Sequence, residues 1–238
     1  MSFYDDFYSQ ESKKTKKFNI KKLSLNSVKK IIASIIVFIL LFIIINLLSV
    51  KKEYDFSYDI YNLPAPIQSR TTGDVTKNVM GTTVNISFVA DYSIFGRVVD
   101  TVNYWPLSIN DSLSPKDVAL AWGSLADDNV LDCFYWASTN NRFTHYLTKD
   151  NRWRNYFSSL NEVDVLYSNN HLIPADDNIK SKISAIKNGD YIKMDGYLVN
   201  VFYNTKNMHY TWNSSVTRTD TGDGACEVFY VTNITWLK

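Results

Sequence analysis

The densest group of residues with chemical potential lies at 218–227, where the chain reads Arg-Thr-Asp-Thr-Gly-Asp-Gly-Ala-Cys-Glu. The Asp-Thr-Gly that begins at Asp220 matches the triplet of aspartic proteases. Those enzymes need two such aspartates to share a proton, and the chain has no second copy. Asp220, Asp223 and Glu227 offer oxygen ligands for calcium, but their spacing does not follow the EF-hand pattern. A tight hairpin turn, with Arg218 paired to Asp220 or Glu227, is the simpler interpretation.

The three histidines of the chain stand far apart, and no His-x-x-His or Glu-x-x-His pair occurs. The sequence therefore predicts no metal site, and it contains no phosphate loop or dinucleotide fingerprint that would predict a cofactor. His171 begins a predicted strand, where a hydrogen-bonded structural role is the ordinary interpretation. If the fold brought His171 to Asp220 and Glu227, the three could act as the catalytic group of a hydrolase. Arg218, Asp220 and Asp223 are the candidate binding residues.

The two cysteines, Cys133 and Cys226, permit two interpretations. Outside the cytoplasm they could form a disulfide that closes a long loop and braces the domain, worth roughly 4 kcal/mol in the chain-entropy model. Both are also flanked by apolar, strand-like sequence, where a free cysteine is a good small core residue. A catalytic role for Cys226 has no support, because no spacing places a histidine beside its sulfur.

A strongly apolar stretch at residues 31–50 must position everything that follows it. Sixteen of its twenty residues are Ile, Leu, Val or Phe, and none is charged. As a helix rising about 1.5 Å per residue it would reach roughly 30 Å, the thickness of a bilayer's hydrocarbon core. The stretch is longer than a signal-peptide core and lacks a small-x-small cleavage site. It therefore predicts an uncleaved, single-pass transmembrane helix.

Charge predicts the orientation of that helix. Eight lysines lie in the twenty residues before the stretch, against three basic residues in the twenty after it. Because the flank richer in Lys and Arg stays inside, the N-terminus is predicted to be cytoplasmic and 51–238 to lie outside an inner or plasma membrane. Residues 1–52 carry a net charge of +7, and the remainder carries −6. The acidic outer part argues against nucleic acid as a partner. The predicted transmembrane helix makes the lipid bilayer a partner.

The chain divides into four predicted regions. A basic, disordered cytoplasmic tail at 1–30 precedes the transmembrane helix, and an extracytoplasmic tether at 51–81 follows it. From residue 82 the apolar and polar residues alternate, which is typical of β-strands. The region 82–238 is predicted to be one α+β domain built on a curved antiparallel sheet, of which an OB-like small barrel is one form.

Two short helices are predicted within this domain. Residues 113–123 combine a capping Ser114, a proline at the first helical position and a terminal glycine. Residues 177–188 place three isoleucines on one face and end at Gly189. Gly196 interrupts a strand and could mark a bulge or a sharp bend. Further strands are predicted at 131–138, 142–148, 191–203, 208–217 and 225–236.

Four short phrases are familiar as a set. They are Leu-Ser-Pro-x-Asp-x-Ala-Leu-x-Trp-Gly from Leu113, His-Leu-Ile-Pro-Ala from His171, Gly-Asp at Gly189 with Gly-Tyr-Leu-Val from Gly196, and Ser-Ser-x-Thr-Arg-x-Asp-Thr-Gly-x-Gly-Ala-Cys-Glu from Ser214. In these phrases, which cover roughly 90–238, the chain resembles an uncharacterised family of bacterial single-pass membrane-anchored proteins. The resemblance implies a bacterial origin and an envelope setting. That family has no known activity, so no catalytic residue follows from it.

The sequence leads to two function hypotheses. The first is a membrane-anchored, non-enzymatic binding or assembly module of the envelope, with a protein or a glycan as its partner. Aromatic residues make up 15% of the chain, and exposed Tyr and Trp are good platforms for either kind of ligand. The alternative is an envelope hydrolase of unfamiliar type that uses Asp220, Glu227 and His171.

Overall fold

A computed structural model describes residues 25–48, 50–139, 142–206, 208–217 and 226–238. The chain forms two compact units, Met1–Ser49 and Val50–Lys238. Of the tail predicted at 1–30, the first 24 residues lie outside the described residues.

The first unit contains one helix, α1, in the part that the structure describes. It spans Leu25–Leu48, so the last six residues of the predicted tail are helical. Every side chain from 31 to 43 is exposed, and apart from Ala33 and Ser34 they are all large and apolar. Over the described residues, no helix is both long and apolar enough to cross a membrane. The transmembrane helix at 31–50 stays a prediction.

The second unit is mostly sheet. Its described strands are β1 (Tyr54–Asp55), β2 (Ile67–Val79), β3 (Thr82–Asn103), β4 (Lys116–Ala121), β5 (Phe134–Ser138), β6 (Thr144–Thr148), β7 (Tyr167–Pro174), β8 (Tyr191–Asn204), β9 (His209–Asn213) and β10 (Glu227–Leu237). Its described helices are α2 (Ile109–Leu113), α3 (Asp128–Leu131), α4 (Leu160–Asp164) and α5 (Asp177–Ala185), with 3₁₀ turns at Gly123–Ala126 and Asn151–Asn155. The predicted α+β class with a curved sheet is confirmed.

Five strands of the sheet pair in a closed ring. β3 pairs with β4, β4 with β7, β10 with β8, and β8 with β3, all antiparallel. The ring is completed by a parallel pairing of β7 with β10. β1, β2 and β9 extend it by pairing with β10, β3 and β8, while β5 and β6 form a separate ribbon. The loop between β4 and β7 therefore carries an insertion outside the ring.

The two faces of the ring bury different cores. The first cluster includes Leu120, Leu172 and Phe229, against which α5 packs. The second lies on the opposite face and includes Ile173 and Val228. The inserted segment forms a third cluster with Ala121 of β4. Its other buried members are Leu125, Val130, Cys133, Phe134, Trp153, Phe157 and Val163. Adjacent residues of β7 and β10 thus point into different cores, as the two-residue period of a strand requires.

A register shift in β3 allows this strand to contribute side chains to both of the larger cores. Ile86 belongs to the second cluster and Phe88 packs against it, whereas Ala90 belongs to the first. The pairing of β3 with β8 shifts register between Phe88 and Ala90, so Val89 is an extra residue that reverses the facing of the strand. A simple alternation in the sequence therefore does not correspond to a single face.

Gly196 permits a close approach between β8 and β10. It has φ +157°, and a Cβ built on it would lie 2.1 Å from the carbonyl oxygen of Tyr230. It pairs with Val231, where the register of β10 against β8 shifts. The prediction of an irregular point at Gly196 agrees with this geometry.

The helix predicted at 113–123 is wrong, whereas the one predicted at 177–188 is present. Residues Lys116–Ala121 form β4, and all six are buried because both faces of the ring are covered. Ser114 follows α2 instead of starting a helix. In α5, Asp176 caps the first turn by accepting a hydrogen bond from the N–H of Ile179. Burial on both sides overrode the capping signals of the first segment.

The segment predicted to be a tether at 51–81 is instead part of the folded second unit. It contains β1 and β2, and Leu63 is buried in the first cluster. The Lys52 amine lies 2.8 Å from the Asp190 carboxylate, which also accepts a hydrogen bond from the Trp236 indole N–H. Burial raises the pKa of the Asp190 carboxyl, but these donors outweigh it and hold that pKa below its usual value. The sequence of β2 is mostly polar because one face of the strand is solvated, and that composition predicts a tether.

Candidate functional site

A buried carboxylate lies at the centre of a polar cluster that joins several elements of the second unit. Asp117 sits on β4, directly across the ladder from His171 on β7. Only 2% of Asp117 is exposed, and His171 is also buried. The His171 Nδ1 atom lies 3.0 Å from Asp117 Oδ1, and the Tyr104 hydroxyl donates to Oδ2 at 2.8 Å. Both side chains project from the face that carries the second core.

Arg142 supplies the cation of the cluster. It follows β5, and its backbone has a left-handed φ of +62°. Its guanidinium donates to Asp117 and Asp111, each at 2.9 Å, and to the Ser114 carbonyl at 2.8 Å. Its own carbonyl accepts a hydrogen bond from the Asn169 side-chain amide at 2.8 Å. The Arg142 side chain is only 13% exposed, so most of it is shielded from solvent.

Aromatic rings enclose the guanidinium. The Arg142 Cζ atom lies 3.8 Å from the Tyr104 ring centroid and 5.5 Å from that of Trp212. The Trp212 ring also lies 4.9 Å from the His171 ring. Such cation–π contacts are strongest where water is excluded. Burial, and after it the nearby Asp117 carboxylate, raises the pKa of the Tyr104 hydroxyl well above its usual value.

The other carboxylate, on Asp111, is partly exposed. Burial raises its pKa, but hydrogen bonds from Arg142 and the Ser108 hydroxyl outweigh that effect and lower it. Asp111 lies on α2, Arg142 on the β5–β6 connection and Trp212 on β9. The cluster therefore joins three peripheral elements to the ring. Its hydrogen bonds and ring contacts hold these elements against the ring.

The loop beside this cluster presents two large apolar side chains to solvent. Trp105 is 81% exposed and Leu107 is 85% exposed, in the loop that links β3 to α2. The loop is tied at its start, because the Tyr104 N–H donates to the Pro115 carbonyl at 2.8 Å. It is tied at its end by Ser108, which caps α2. We call residues 104–108 the apolar loop.

The two described residues of the hydrolase hypothesis, Glu227 and His171, do not lie in one site. Glu227 and His171 are both buried, and they project from opposite faces of the ring, since Glu227 pairs with Asn170. The structure therefore does not bring these two side chains into one site. Its third member, Asp220, lies outside the described residues. The candidate binding residues Arg218 and Asp223 lie outside them too, as does the turn that contains them.

Cys133 and Cys226 are not joined by a disulfide, and they lie in different surroundings. Cys133 is buried in the third cluster, and burial raises the pKa of its thiol. Cys226 is half-buried, with its sulfur 3.5 Å from the Asn169 side-chain nitrogen. The alternative of a free core thiol describes Cys133. Among the described residues, no three acidic, His or Cys side chains are grouped so that they could hold a metal ion.

Sequence reasoning missed Asp117, Arg142 and the apolar loop. Two charged residues, Lys116 and Asp117, directly before the apolar run 118–121 were the available signal, because a buried carboxylate requires partners. Those partners come from segments remote in sequence, so their identity could not be read locally. Comparison with known proteins found no matching family model, no matching curated protein and no matching solved structure. The functional conclusion therefore rests on the residues of this chain.

Proposed function

We propose that the chain is a single-pass membrane protein whose second unit, Val50–Lys238, binds a protein partner outside the cytoplasm. The exposed apolar side chains of α1 support the anchor, because a continuous surface of this kind needs an apolar environment. The lysine excess before residue 31 supports a cytoplasmic N-terminus. An envelope location for the second unit follows from that orientation.

The pairing order of the ring supports an OB-like barrel. Taken in chain order, the five ring strands pair as first, second, third, fifth and fourth, and α5 lies between the third and the fourth. OB-folds bind ligands on the face of their second and third strands and with two neighbouring loops. One of these loops connects the first strand to the second, which in this chain is the connection that holds the apolar loop.

The sheet face of those two strands is already occupied by the chain itself. Asp117 and His171, which project from it, are covered by Arg142 and Trp212. A ligand on that face would have to displace an arginine that makes two ion pairs. The apolar loop has no such cover. We therefore place partner binding at the loop.

The exposure of Trp105 and Leu107 on an anchored loop is the observation that carries this proposal. Tryptophan is enriched among the residues that dominate protein–protein affinity. The loop is held at both ends, so little conformational entropy would be lost when it is buried. An aromatic ring beside an aliphatic side chain suits an apolar pocket on a protein better than a glycan, which needs several polar groups as well.

The test is cross-linking of the full-length protein in its native membrane. Wild type, Trp105→Ser and Leu107→Ser are compared with Tyr135→Ser, which removes an exposed aromatic ring from β5. We expect a defined cross-linked protein with wild type and Tyr135→Ser, and its loss from both loop variants. Equal cross-linking in all four proteins, or none in any, would reject the loop as a binding surface.

Orientation is tested separately. Protease added to intact spheroplasts should degrade the second unit, Val50–Lys238, and leave the N-terminal tail protected. Protection of the second unit until the membrane is permeabilised would reject the proposed topology.

A further inference from the structure

The first residues of the second unit are held firmly to its surface. β1 pairs with the end of β10, where the Trp236 N–H donates to the Glu53 carbonyl at 2.8 Å and the Lys238 N–H to the Asp55 carbonyl at 3.1 Å. The Glu53 carboxylate also lies 2.8 Å from the Lys182 amine, a lysine whose side chain is buried. These contacts, with the Lys52–Asp190 ion pair, fix the start of the unit.

This fixed segment exposes aromatic rings beside lysine. Phe56 is 72% exposed and Tyr54 is 43% exposed, with 6.5 Å between their ring centroids. The Lys238 amine lies 4.1 Å from the centroid of the Tyr54 ring. Lys51, at the start of the segment, is exposed. We call Lys51, Tyr54, Phe56 and Lys238 the basal patch.

We propose that the basal patch rests in the headgroup region of the bilayer that holds residues 31–50. The inference rests on the membrane anchoring proposed above. Lys52, whose amine is paired to Asp190, follows the apolar stretch by only two residues, which span at most about 7 Å of chain. The basal patch begins at this point, so the covalent chain alone keeps it beside the bilayer surface.

The composition of the patch fits that location. Tyrosine, such as Tyr54, is enriched at membrane interfaces because its ring has a polar edge, and the Phe56 ring adds apolar surface. Lysine can lay its apolar stem along the lipid while its amine reaches water. A protein partner would have to compete for this surface with a bilayer that is tethered to it. The second unit is thereby held on the membrane instead of at the end of a flexible tether.

The test uses tryptophan probes in the full-length protein, reconstituted in phosphatidylcholine vesicles. Phe56→Trp places a probe in the patch, and Phe38→Trp places one in the apolar stretch of α1. Phe202→Trp is the matched control, because Phe202 is also an exposed phenylalanine. It lies ten residues along β8 from Ile192, the residue that pairs with Trp236, or roughly 33 Å if the strand were straight. The fluorescence added by each probe is compared with and without brominated lipid, in which the bromine lies near the top of the acyl chains for Phe56→Trp and Phe202→Trp and near their ends for Phe38→Trp.

The expected result is that Phe56→Trp loses most of its added fluorescence in brominated lipid and that Phe202→Trp loses none. If Phe38→Trp is quenched and Phe56→Trp behaves like Phe202→Trp, the patch proposal is overturned while the anchor stands. If Phe38→Trp also escapes quenching, the anchor itself fails, and the patch proposal with it. All three substitutions replace exposed side chains, so none should disturb folding.

Discussion

Replacing Arg142 by methionine should destabilise the second unit strongly. Methionine keeps a long unbranched side chain but removes the donors to Asp111 and Asp117 and to the Ser114 carbonyl. Asp117 would then be a buried carboxylate without its cation. The expected loss is therefore that of breaking a buried ion pair.

The magnitude follows from what Asp117 retains. Removing one partner of a buried pair costs about 3–5 kcal/mol. Asp117 would keep the hydrogen bond from the Tyr104 hydroxyl at 2.8 Å, and Asp111 is exposed enough to regain water. These compensations favour the lower end, about 3 kcal/mol of the free energy of unfolding.

The assay is urea denaturation of the full-length protein in detergent micelles, followed by tryptophan fluorescence. Arg152→Met is the matched control, because Arg152 also pairs with two carboxylates, those of Asp132 and Asp150, but its side chain is 52% exposed. Solvent screens such pairs, so this control should change stability much less. The double variant Arg142→Met/Asp117→Asn removes the buried charge as well as its partner. It should cost less than the sum of the two single variants by about 1 kcal/mol or more.

Two results would refute this reasoning. One is a loss for Arg142→Met no larger than that for Arg152→Met, which would mean that the burial of the pair has no energetic consequence. The other is strict additivity in the double variant, which would mean that Asp117 and Arg142 are not coupled.

Gly196→Ala should lower the free energy of unfolding by more than about 3 kcal/mol, because its Cβ would lie 2.1 Å from the Tyr230 carbonyl oxygen. Gly81→Ala, with φ +77° and open space around it, should lose only about 1 kcal/mol in the same urea denaturation; equal losses would show that the close approach does not matter. For Asp190, a pKa held below the unfolded value of about 3.9 means stabilisation that is present above that pH and lost as the pH falls below it. Asp190→Asn should flatten this acid dependence of stability and Lys52→Met should flatten it in part, whereas an unchanged dependence in both would contradict the assignment.

The candidate site shows where local sequence information ends. His171 was singled out from the sequence, and the strand that contains it is present as β7. Its neighbours in space, Asp117, Arg142 and Trp212, are between 29 and 54 positions away in the chain. No local pattern encodes such a set, because contacts between remote segments depend on which strands pair and in which register.

The amino-acid sequence by itself determined the features that depend on neighbouring residues. The three-to-four residue period of its isoleucines and the cap at Asp176 produce α5, and runs rich in β-branched and aromatic residues produce β8 and β10. Composition likewise determined the apolar stretch at 31–50 and the contrast in charge on either side of it. These signals are local, so they can be read from the sequence without knowledge of the fold.

Tertiary structure alone decided the rest. Closure of the ring buried both faces of Lys116–Ala121, so a segment with helical caps became a strand. The extra residue at Val89 reversed the facing of β3, and pairing with β3 turned the predicted tether into β2. In each case the burial of a whole surface against a remote segment outweighed preferences worth only about 1 kcal/mol per residue.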